Sequence, residues 1–292
     1  MSRIRYDLSG KWYKGNTHLH SVASDGGKTH QELTDLYSSA GYDFLFHTDH
    51  WTPSVCPEYR KDDPVLWMHG VELDGKDDTG ASFHIVCLGN LPGIDRQNGL
   101  VATLKTARET GAVIIIAHPH WMGNTLEDCT RHNPDGVEIY NHVCNWLNGK
   151  GGGLTHWEAL LNQNPSTLGF AADDAHITQD HPGWNGGWIV LNAQKLAPAE
   201  IMKSIKAGNF YSSTGPDFIS FEVNGPDLHI LTSPVQFIRL VGPGACGKRA
   251  GSFGEKTITE ALFSIPGKWP WAYIEIEDAC GKRAWTNNIF AS

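Results

Sequence analysis

The sequence predicts an α/β fold in which a βα barrel precedes a small antiparallel β-sandwich. Short apolar runs alternate with helical stretches in the first two thirds of the chain, and potential metal ligands stand at the ends of most of these runs. After Gly215, short runs of alternating polarity are separated by glycine and proline. The first pattern is typical of a parallel sheet or barrel, and the second is typical of an antiparallel sandwich.

Seven runs have the short, apolar character of buried parallel strands. They span residues 14–20, 42–50, 65–73, 82–88, 112–120, 136–141 and 167–176. Helical patterns between and after them span residues 29–40, 97–110, 155–163 and 198–207. Gly111 and Gly208 stand just past the ends of two of these helices, where glycine is the favoured residue.

The potential ligands at six or seven strand ends favour a barrel over an open sheet. Strands of an open sheet lie about 4.8 Å apart, so ligands from many strands would be widely spread. In a βα barrel, the carboxyl ends of the strands gather around one axis. We therefore expect a barrel domain over residues 1–214 and a sandwich domain over residues 215–292.

Composition and charge exclude several function classes. The chain of 292 residues has a formal net charge of −9, which argues against binding to a nucleic acid duplex. The first ten residues lack a secretory signal and no apolar run could span a membrane, so a cytoplasmic protein is expected. Six cysteines without a CxxC pair indicate reduced thiols. Fourteen of the fifteen histidines lie at or before His181, which places the expected chemistry in the barrel.

Two segments near the N-terminus predict imidazole ligands. His18 and His20 alternate along a strand and therefore point to the same face, where both can bind one cation. Asp25 follows on the next loop and brings a carboxylate to the same end. A second apolar run ends at His50, which is an expected ligand, and the preceding Asp49 is expected to orient a ligating histidine.

Further ligands are predicted at later strand ends. Glu72 stands in an apolar run, where a carboxylate is costly to bury unless it is paired or bound to metal. His84 and His118 each end an apolar stretch, and either one alone could equally be a structural histidine. Asp174 and His176 share one face of the last run. The joint occurrence of these residues, rather than any one of them, predicts a metal centre.

Taken in order, these motifs resemble those of the polymerase and histidinol phosphatase (PHP) superfamily. The matching motifs are H-x-H, S-D-G, T-D-H, a strand Glu, a strand His, A-H-P and D-A-H, over residues 15 to about 214. The resemblance implies a distorted seven-stranded (β/α)7 TIM-like barrel with two or three divalent metal ions, which could be Zn, Mn or Fe. It implies a first metal held by His18, His20, Glu72 and Asp174, a second held by Glu72, His84 and His118, and a third held by Asp25, His50 and His176. Some members of the superfamily carry His at the position of Asp25.

The end of the barrel region and the C-terminal tail extend the resemblance. Residues 208–216 and 284–287 are similar to the two-domain branch that includes the CehA/McbA-type metallohydrolases. The function this implies is metal-dependent hydrolysis of a small-molecule phosphoester, such as a phosphomonoester, nucleotide or phosphodiester, by a metal-bridging hydroxide. One alternative is hydrolysis of a carbamate, carboxyl ester or amide at the same centre. A second alternative is a non-catalytic metal-binding accessory module. The oligomeric state is not indicated.

Several residues near the strand ends are candidates for acid–base and substrate roles. His120 and His47 are candidates for the group that protonates the leaving alkoxide, and Asp49 is grouped with them. Trp121, Trp184 and Trp188 are candidate walls for an aromatic group, with ordinary packing equally expected. The candidate substrate contacts are Glu138, Arg131, Lys28 and His181. Glu138 could instead lie behind the ligands, and exposed, solvated charge is the commoner outcome for the other three.

Overall fold

A computed structural model describes residues 6–56, 58, 60–224, 227–265 and 267–290 of the chain. The strands of the barrel region are β1 (Lys11–Asn16), β2 (Phe44–His47), β3 (Leu66–Lys76), β4 (Ser82–Leu88), β5 (Val113–Ile116), β6 (Gly136–Asn141), β7 (Leu168–Ala172), β8 (Trp188–Ala193) and β9 (Phe210–Ser213). The later strands are β10 (Phe218–Asn224), β11 (Asp227–Val235), β12 (Phe237–Val241), β13 (Gly247–Ala250), β14 (Ile258–Ser264), β15 (Tyr273–Glu277) and β16 (Arg283–Thr286).

The helices connect the strands of the first region. They are α1 (His30–Ser39), α2 (Leu100–Glu109), α3 (Pro119–Met122), α4 (Leu126–Arg131), α5 (His142–Asn148), α6 (Leu154–Gln163) and α7 (Pro198–Ala207), with a 3-10 turn at Arg96–Asn98. The four predicted helices correspond to α1, α2, α6 and α7. Thr29 and Glu32 form a capping box that fixes the start of α1, and Gly208 ends α7 in the left-handed conformation. No helix in the described part of the chain is long and apolar enough to cross a membrane.

All seven predicted strands are present as β1–β7, but their directions differ from the prediction at one place. β1, β2 and β3 pair in parallel, as do β5, β6 and β7. β3 and β4 instead form an antiparallel hairpin, and β4 pairs antiparallel with β5. His84 therefore lies near the beginning of β4 rather than at the end of a parallel strand. It faces the ligands because β4 runs in the opposite direction, with His84 paired to Asp74 of β3.

The sheet has thirteen strands in the order β13-β12-β15-β16-β9-β8-β1-β2-β3-β4-β5-β6-β7, so the expected closed barrel is not confirmed. A parallel bridge between Leu19 and Ala175 nevertheless joins the segments that follow β1 and β7. The free edge of β7 is satisfied by a side chain, because Ser212 Oγ accepts from the Ala171 amide at 2.8 Å and donates to the Gly169 carbonyl at 2.9 Å. The two ends of the β1–β7 series thus approach each other without a continuous ladder.

The C-terminal strands are antiparallel, as expected for a sandwich. β10, β11 and β14 form a separate three-stranded sheet. Its inner residues, such as Phe221 and Ile230, pack in one core with Ile238 and Ile274 of the large sheet. β16 pairs with β9, so hydrogen bonding runs from the barrel strands into the C-terminal strands across the predicted boundary after residue 214. The predicted barrel domain begins with residues 1–5, which lie outside the described residues.

Candidate metal centre

All nine side chains predicted as metal ligands converge at one end of the β1–β7 strands. Their donor atoms form overlapping groups in which the atoms lie within 4.8 Å of one another or contact the shared Glu72. Seven of the ligands lie on the segments that directly follow β1, β2, β5 and β7. The other two lie within strands, Glu72 in β3 and His84 in β4. The nine residues are His18, His20, Asp25, His50, Glu72, His84, His118, Asp174 and His176.

The first group is fully buried and surrounds a single point. His18 Nε2 and His20 Nε2 each lie 3.1 Å from Glu72 Oε2. The same two nitrogens lie 3.3 and 3.2 Å from Asp174 Oδ1. Donor atoms about 3.3 Å apart are the spacing expected for ligands of one tetrahedral cation at bond lengths of about 2.0–2.2 Å. The four side chains thus have the spacing of a first coordination group.

The second group shares Glu72 through its other oxygen. His84 Nδ1 lies 2.8 Å from Glu72 Oε1, and His118 Nε2 lies 3.5 Å from the same atom. His118 Nε2 also lies 3.5 Å from Asp174 Oδ2. Glu72 therefore presents one oxygen to each of two groups, which is the arrangement of a bridging carboxylate.

The third group is the most exposed. Asp25 Oδ2 lies 3.3 Å from His176 Nε2 and 3.8 Å from His50 Nε2, and the Asp25 side chain is 53% exposed. His20 joins this group through its Nδ1, which lies 3.5 Å from Asp25 Oδ1. Because the other nitrogen of His20 belongs to the first group, the imidazole connects the two.

Buried atoms in the centre lack the hydrogen bonds they require. Glu72 Oε2 has no hydrogen-bond partner among the described residues, although three imidazole Nε2 atoms lie within 3.3 Å of it. An ionised carboxylate oxygen buried without a partner is costly. A divalent cation between this oxygen and the imidazoles would satisfy all of them, and a mixed imidazole and carboxylate set suits Zn, Fe or Mn. The donor set therefore fits the metals that the sequence motifs implied.

Electrostatics in the centre also favour bound positive charge. Burial would lower the pKa of His18, but the carboxylates of Asp174, Glu72 and Glu138 raise it well above its usual range. Burial likewise opposes protonation of His20, and Asp174 and Glu72 raise its pKa to about 9. Burial would raise the pKa of Glu72, whereas the surrounding imidazoles, His18 first, hold it well below its usual range. Protons and divalent cations thus compete for the same buried carboxylates.

The backbone is strained at two of the ligands. His118 has φ 28° and Asp174 has φ 56°, a region that non-glycine residues rarely adopt. Such strain persists only where the surrounding structure determines the conformation, and it is common at functional sites. At Asp174 the amide donates to the His18 carbonyl at 2.9 Å, which fixes the turn that carries the carboxylate into the centre.

Residues behind the ligands hold the imidazoles in place. Glu138 is 1% exposed, and its Oε1 accepts from His18 Nδ1 at 2.7 Å. Its Oε2 accepts from the His118 amide at 2.9 Å and from Asn141 Nδ2 at 2.8 Å. Both oxygens are occupied and buried, which favours the predicted position of Glu138 behind the ligands over its predicted contact with a substrate. Its position is that of a residue that orients His18.

Asp74 was missed by the sequence reasoning. Its Oδ1 lies 3.2 Å from His50 Nδ1, and both of its oxygens accept from Arg96 at 2.7 Å. The bidentate arginine pair fixes the carboxylate, and the carboxylate faces the back of the His50 ring. The signal available in the sequence was the two-residue spacing from Glu72, which puts both carboxylates on one face of β3.

The predicted acid–base residues are not among the nine ligands. His47 packs against His30 and Trp67, with ring centroids 4.1 and 6.1 Å away. Asp49 accepts hydrogen bonds from Ser21 and Ser24, and Ser24 Oγ lies 3.5 Å from Nδ1 of the ligand His20. His120 lies exposed on the short helix α3. The roles predicted for His47, Asp49 and His120 stay predictions.

The other candidate substrate contacts lie in different surroundings. Lys28 donates to Glu32 at 3.2 Å, and Arg131 donates to Asp77 at 2.6 Å and to Asp128 at 2.8 Å. These two cations are held in ion pairs, and their contacts with a substrate stay predictions. His181 remains beside the centre, since its ring centroid lies 5.8 Å from that of His176.

Trp121 forms a wall next to the second group. Its ring is edge-on to His118 at a centroid distance of 5.2 Å and lies 6.0 Å from His84. The side chain is 38% exposed although it contacts buried ligands. Trp184 and Trp188 pack instead in the core beside α1, so Trp121 alone of these three indoles borders the ligand cluster.

Comparison with solved structures identifies the fold. A two-domain protein from Bacteroides vulgatus that contains a predicted PHP-like metal-dependent phosphoesterase aligns with a TM-score of 0.53 and 13% identity, over 98% of each chain. A candidate metal-dependent phosphoesterase from Bifidobacterium adolescentis aligns with a TM-score of 0.44 and 13% identity, over 66% of this chain and 96% of that one. An amidohydrolase from Chromobacterium violaceum with bound sulfate and no metal gives 0.40 and 13%, over 67% and 96%.

No protein-family model and no curated protein sequence matches the chain. The structural likeness to the Bacteroides protein extends over nearly the whole of both chains. The chain therefore has the fold of PHP-like two-domain proteins, which confirms the resemblance seen in the motifs at the level of the fold.

Proposed function

We propose that the chain is a metal-dependent hydrolase that cleaves a small phosphoester. The observation that carries this proposal is the sharing of Glu72 between two groups of imidazoles, with Oε2 facing His18 and His20 and Oε1 facing His84 and His118. A carboxylate shared in this way would hold two divalent cations close together, and two-metal sites of this kind serve phosphatases and nucleases as well as aminopeptidases.

The chain's own residues fix the geometry of the reaction. When bound, divalent cations supply Lewis-acid polarisation of the ester oxygen and lower the pKa of water. Glu138 holds His18 by its Nδ1, so that His18 Nε2 is directed to Glu72. Asp74 faces His50 in the same way. Imidazole rings that are held by carboxylates outside the centre need little reorientation when substrate binds.

Proton transfer to the leaving group requires a residue outside the ligand set. His181 lies beside His176 and is partly exposed, whereas His47 is buried against Trp67. We therefore assign His181 in place of His47 as the candidate that contacts the phosphoryl group or protonates the leaving oxygen. An imidazole can perform either role near neutral pH.

Hydrolysis of a carbamate, carboxyl ester or amide is the second candidate function. It is favoured by the pairing of three cations near the strand ends, since Lys28, Arg96 and Arg131 are all held in ion pairs. Phosphate recognition commonly uses arginine or lysine. An acyl substrate has no such requirement, and Trp121 would serve an apolar leaving group of either class.

One substrate panel separates the two candidates. Protein loaded with Mn²⁺ or Zn²⁺ is assayed with 4-nitrophenyl phosphate, bis(4-nitrophenyl) phosphate and 4-nitrophenyl acetate, beside the Glu72→Gln variant. We expect turnover of at least one phosphoester, lost in the variant. Turnover of the acetate alone, lost in the variant, would replace phosphoester hydrolysis by the acyl reaction. Tight metal binding without turnover of any of these substrates, or of an amide or carbamate, would favour the accessory module.

A further inference from the structure

A second group of metal-competent side chains lies apart from the nine ligands. This outer cluster consists of His30, His47 and Asp49, and each residue offers a donor atom within 4.8 Å of the others. His30 is the first residue of α1 and His47 the last residue of β2. The functional site described above uses neither histidine.

The spacing of the outer cluster suits a single small cation. His47 Nδ1 lies 3.2 Å from Asp49 Oδ2, close to the roughly 3.3 Å between two ligands of a tetrahedral zinc ion. The rings of His30 and His47 meet edge-on with centroids 4.1 Å apart. His30 is also stacked on Trp67, 4.5 Å away at an interplanar angle of 4°, which holds its ring in position.

An unsatisfied buried nitrogen points to a missing ligand. The His47 side chain is 5% exposed, and its Nδ1 has no hydrogen-bond partner among the described residues despite its closeness to Asp49. A buried polar atom in this state requires an explanation such as an ion or water. Because Asp49 already accepts from Ser21 and Ser24, its own hydrogen-bonding needs are met and the nitrogen is the group left over.

The two imidazoles of the cluster are in the form that binds metal. Burial lowers the pKa of His30, and burial together with His30 lowers the pKa of His47 to about 4. At neutral pH both rings are therefore neutral and can donate a nitrogen lone pair to a cation.

We propose that the outer cluster binds one divalent transition-metal cation, Zn²⁺ in preference to Mg²⁺ or Ca²⁺, through His30, His47 and Asp49. Two imidazoles exclude the hard cations, which require oxygen ligands. Water completes the coordination from the side of His30, which is only half-buried. The site is separate from the nine ligands of the candidate metal centre and does not depend on the proposed hydrolysis.

The outer cation would stabilise the loop that carries Asp25. Asp49 Oδ1 accepts from Ser24 Oγ at 2.6 Å, and Ser24 immediately precedes Asp25. Asp49 also accepts from the Ser21 amide at 2.8 Å, so one carboxylate holds both ends of residues 21–24. A cation that fixes Asp49 therefore fixes this loop, which makes the outer site a structural support for the third ligand group.

The test is a metal count with the metal alone. Purified full-length protein and its His30→Gln variant are equilibrated with Zn²⁺, desalted and analysed for bound zinc, with His229→Gln in the sandwich as the control. We expect His30→Gln to retain one equivalent of zinc fewer than the wild type, and the control to retain the full number. Equal zinc content in all three proteins would overturn the proposal.

A second variant gives a positive signal at the same site. His30→Cys loaded with Co²⁺ would place a thiolate in the coordination sphere, so we expect thiolate-to-cobalt charge-transfer absorption that the wild type lacks. Its absence in a folded variant would count against ligation at position 30. Because neither readout uses catalysis, failure of the proposed hydrolysis leaves this test intact.

Discussion

Glu138 accepts a hydrogen bond from His18 Nδ1 at 2.7 Å and thereby directs the Nε2 of His18 towards Glu72. The same carboxylate accepts from the backbone amide of His118 through its second oxygen. A single buried side chain on β6 thus positions ligands from two different strands.

Glu138→Gln is expected to weaken metal binding without removing a ligand. Every neighbour of the carboxylate is a donor, so either orientation of the amide would place its NH₂ group against another donor. Loss of such a supporting group typically costs about 10–100-fold in metal affinity. Chelator competition would measure this, with exposed Glu127→Gln on α4 as the control. An affinity equal to that of the control would show that Glu138 does not position His18.

The ligand set could be predicted from sequence because period-two spacing and strand ends are local signals. His18 with His20, and Asp174 with His176, follow from alternation along a strand. The direction of β4 could not be predicted in this way, since alternation is the same in parallel and antiparallel strands. The five residues between β3 and β4 form a tight turn at Asp77, which reverses the chain and brings His84 back to Glu72.

The surroundings of the predicted acid–base residues could not be predicted for a similar reason. His120 follows the strained turn at His118, where φ is 28°, and such a turn overrides the two-residue alternation of a strand. His47 has the opposite orientation from Thr48, which contacts Leu19 through its hydroxyl. Sequence patterns leave open which of two alternating faces is interior when both carry polar groups.

The hydrogen bonds that cover the edge of β7 are equally invisible in the sequence. Ser212 belongs to β9 and supplies both a donor and an acceptor to the edge of β7, a pairing between residues about 40 positions apart. Ser212→Ala would leave a buried amide and a buried carbonyl unsatisfied. We expect a loss of roughly 1–3 kcal/mol in the free energy of unfolding.

Urea unfolding followed by circular dichroism would measure the effect of Ser212→Ala. Exposed Ser39→Ala at the end of α1 is the matched control and should change stability by less than about 0.5 kcal/mol. A Ser212 variant as stable as this control would mean that water or a backbone shift satisfies the edge of β7.

Removal of metal is expected to destabilise the fold. Ligand binding stabilises the native state by about 2.7 kcal/mol at a concentration 100 times the Kd, which corresponds to roughly 4 °C in Tm for a chain of this size. Thermal unfolding with excess Zn²⁺ and with chelator would measure the difference. In Glu72→Gln, which lacks the bridging carboxylate, the zinc-dependent shift should be much smaller. Equal shifts in both proteins would place the stabilising metal elsewhere.

Trp121→Ala is expected to change selectivity between leaving groups. This indole is 38% exposed and borders His118 and His84, so an aromatic leaving group bound at the centre can stack on it while a methyl group cannot. Aromatic contacts contribute about 0.5–1.5 kcal/mol, so kcat/KM for an aryl ester should fall roughly 2–10-fold, mainly through KM. Trp121→Phe should retain most of the preference. Parallel kinetics with an aryl and a methyl ester of the same acid would test this, and a proportional loss on both esters would assign Trp121 to packing of the ligands rather than to substrate recognition.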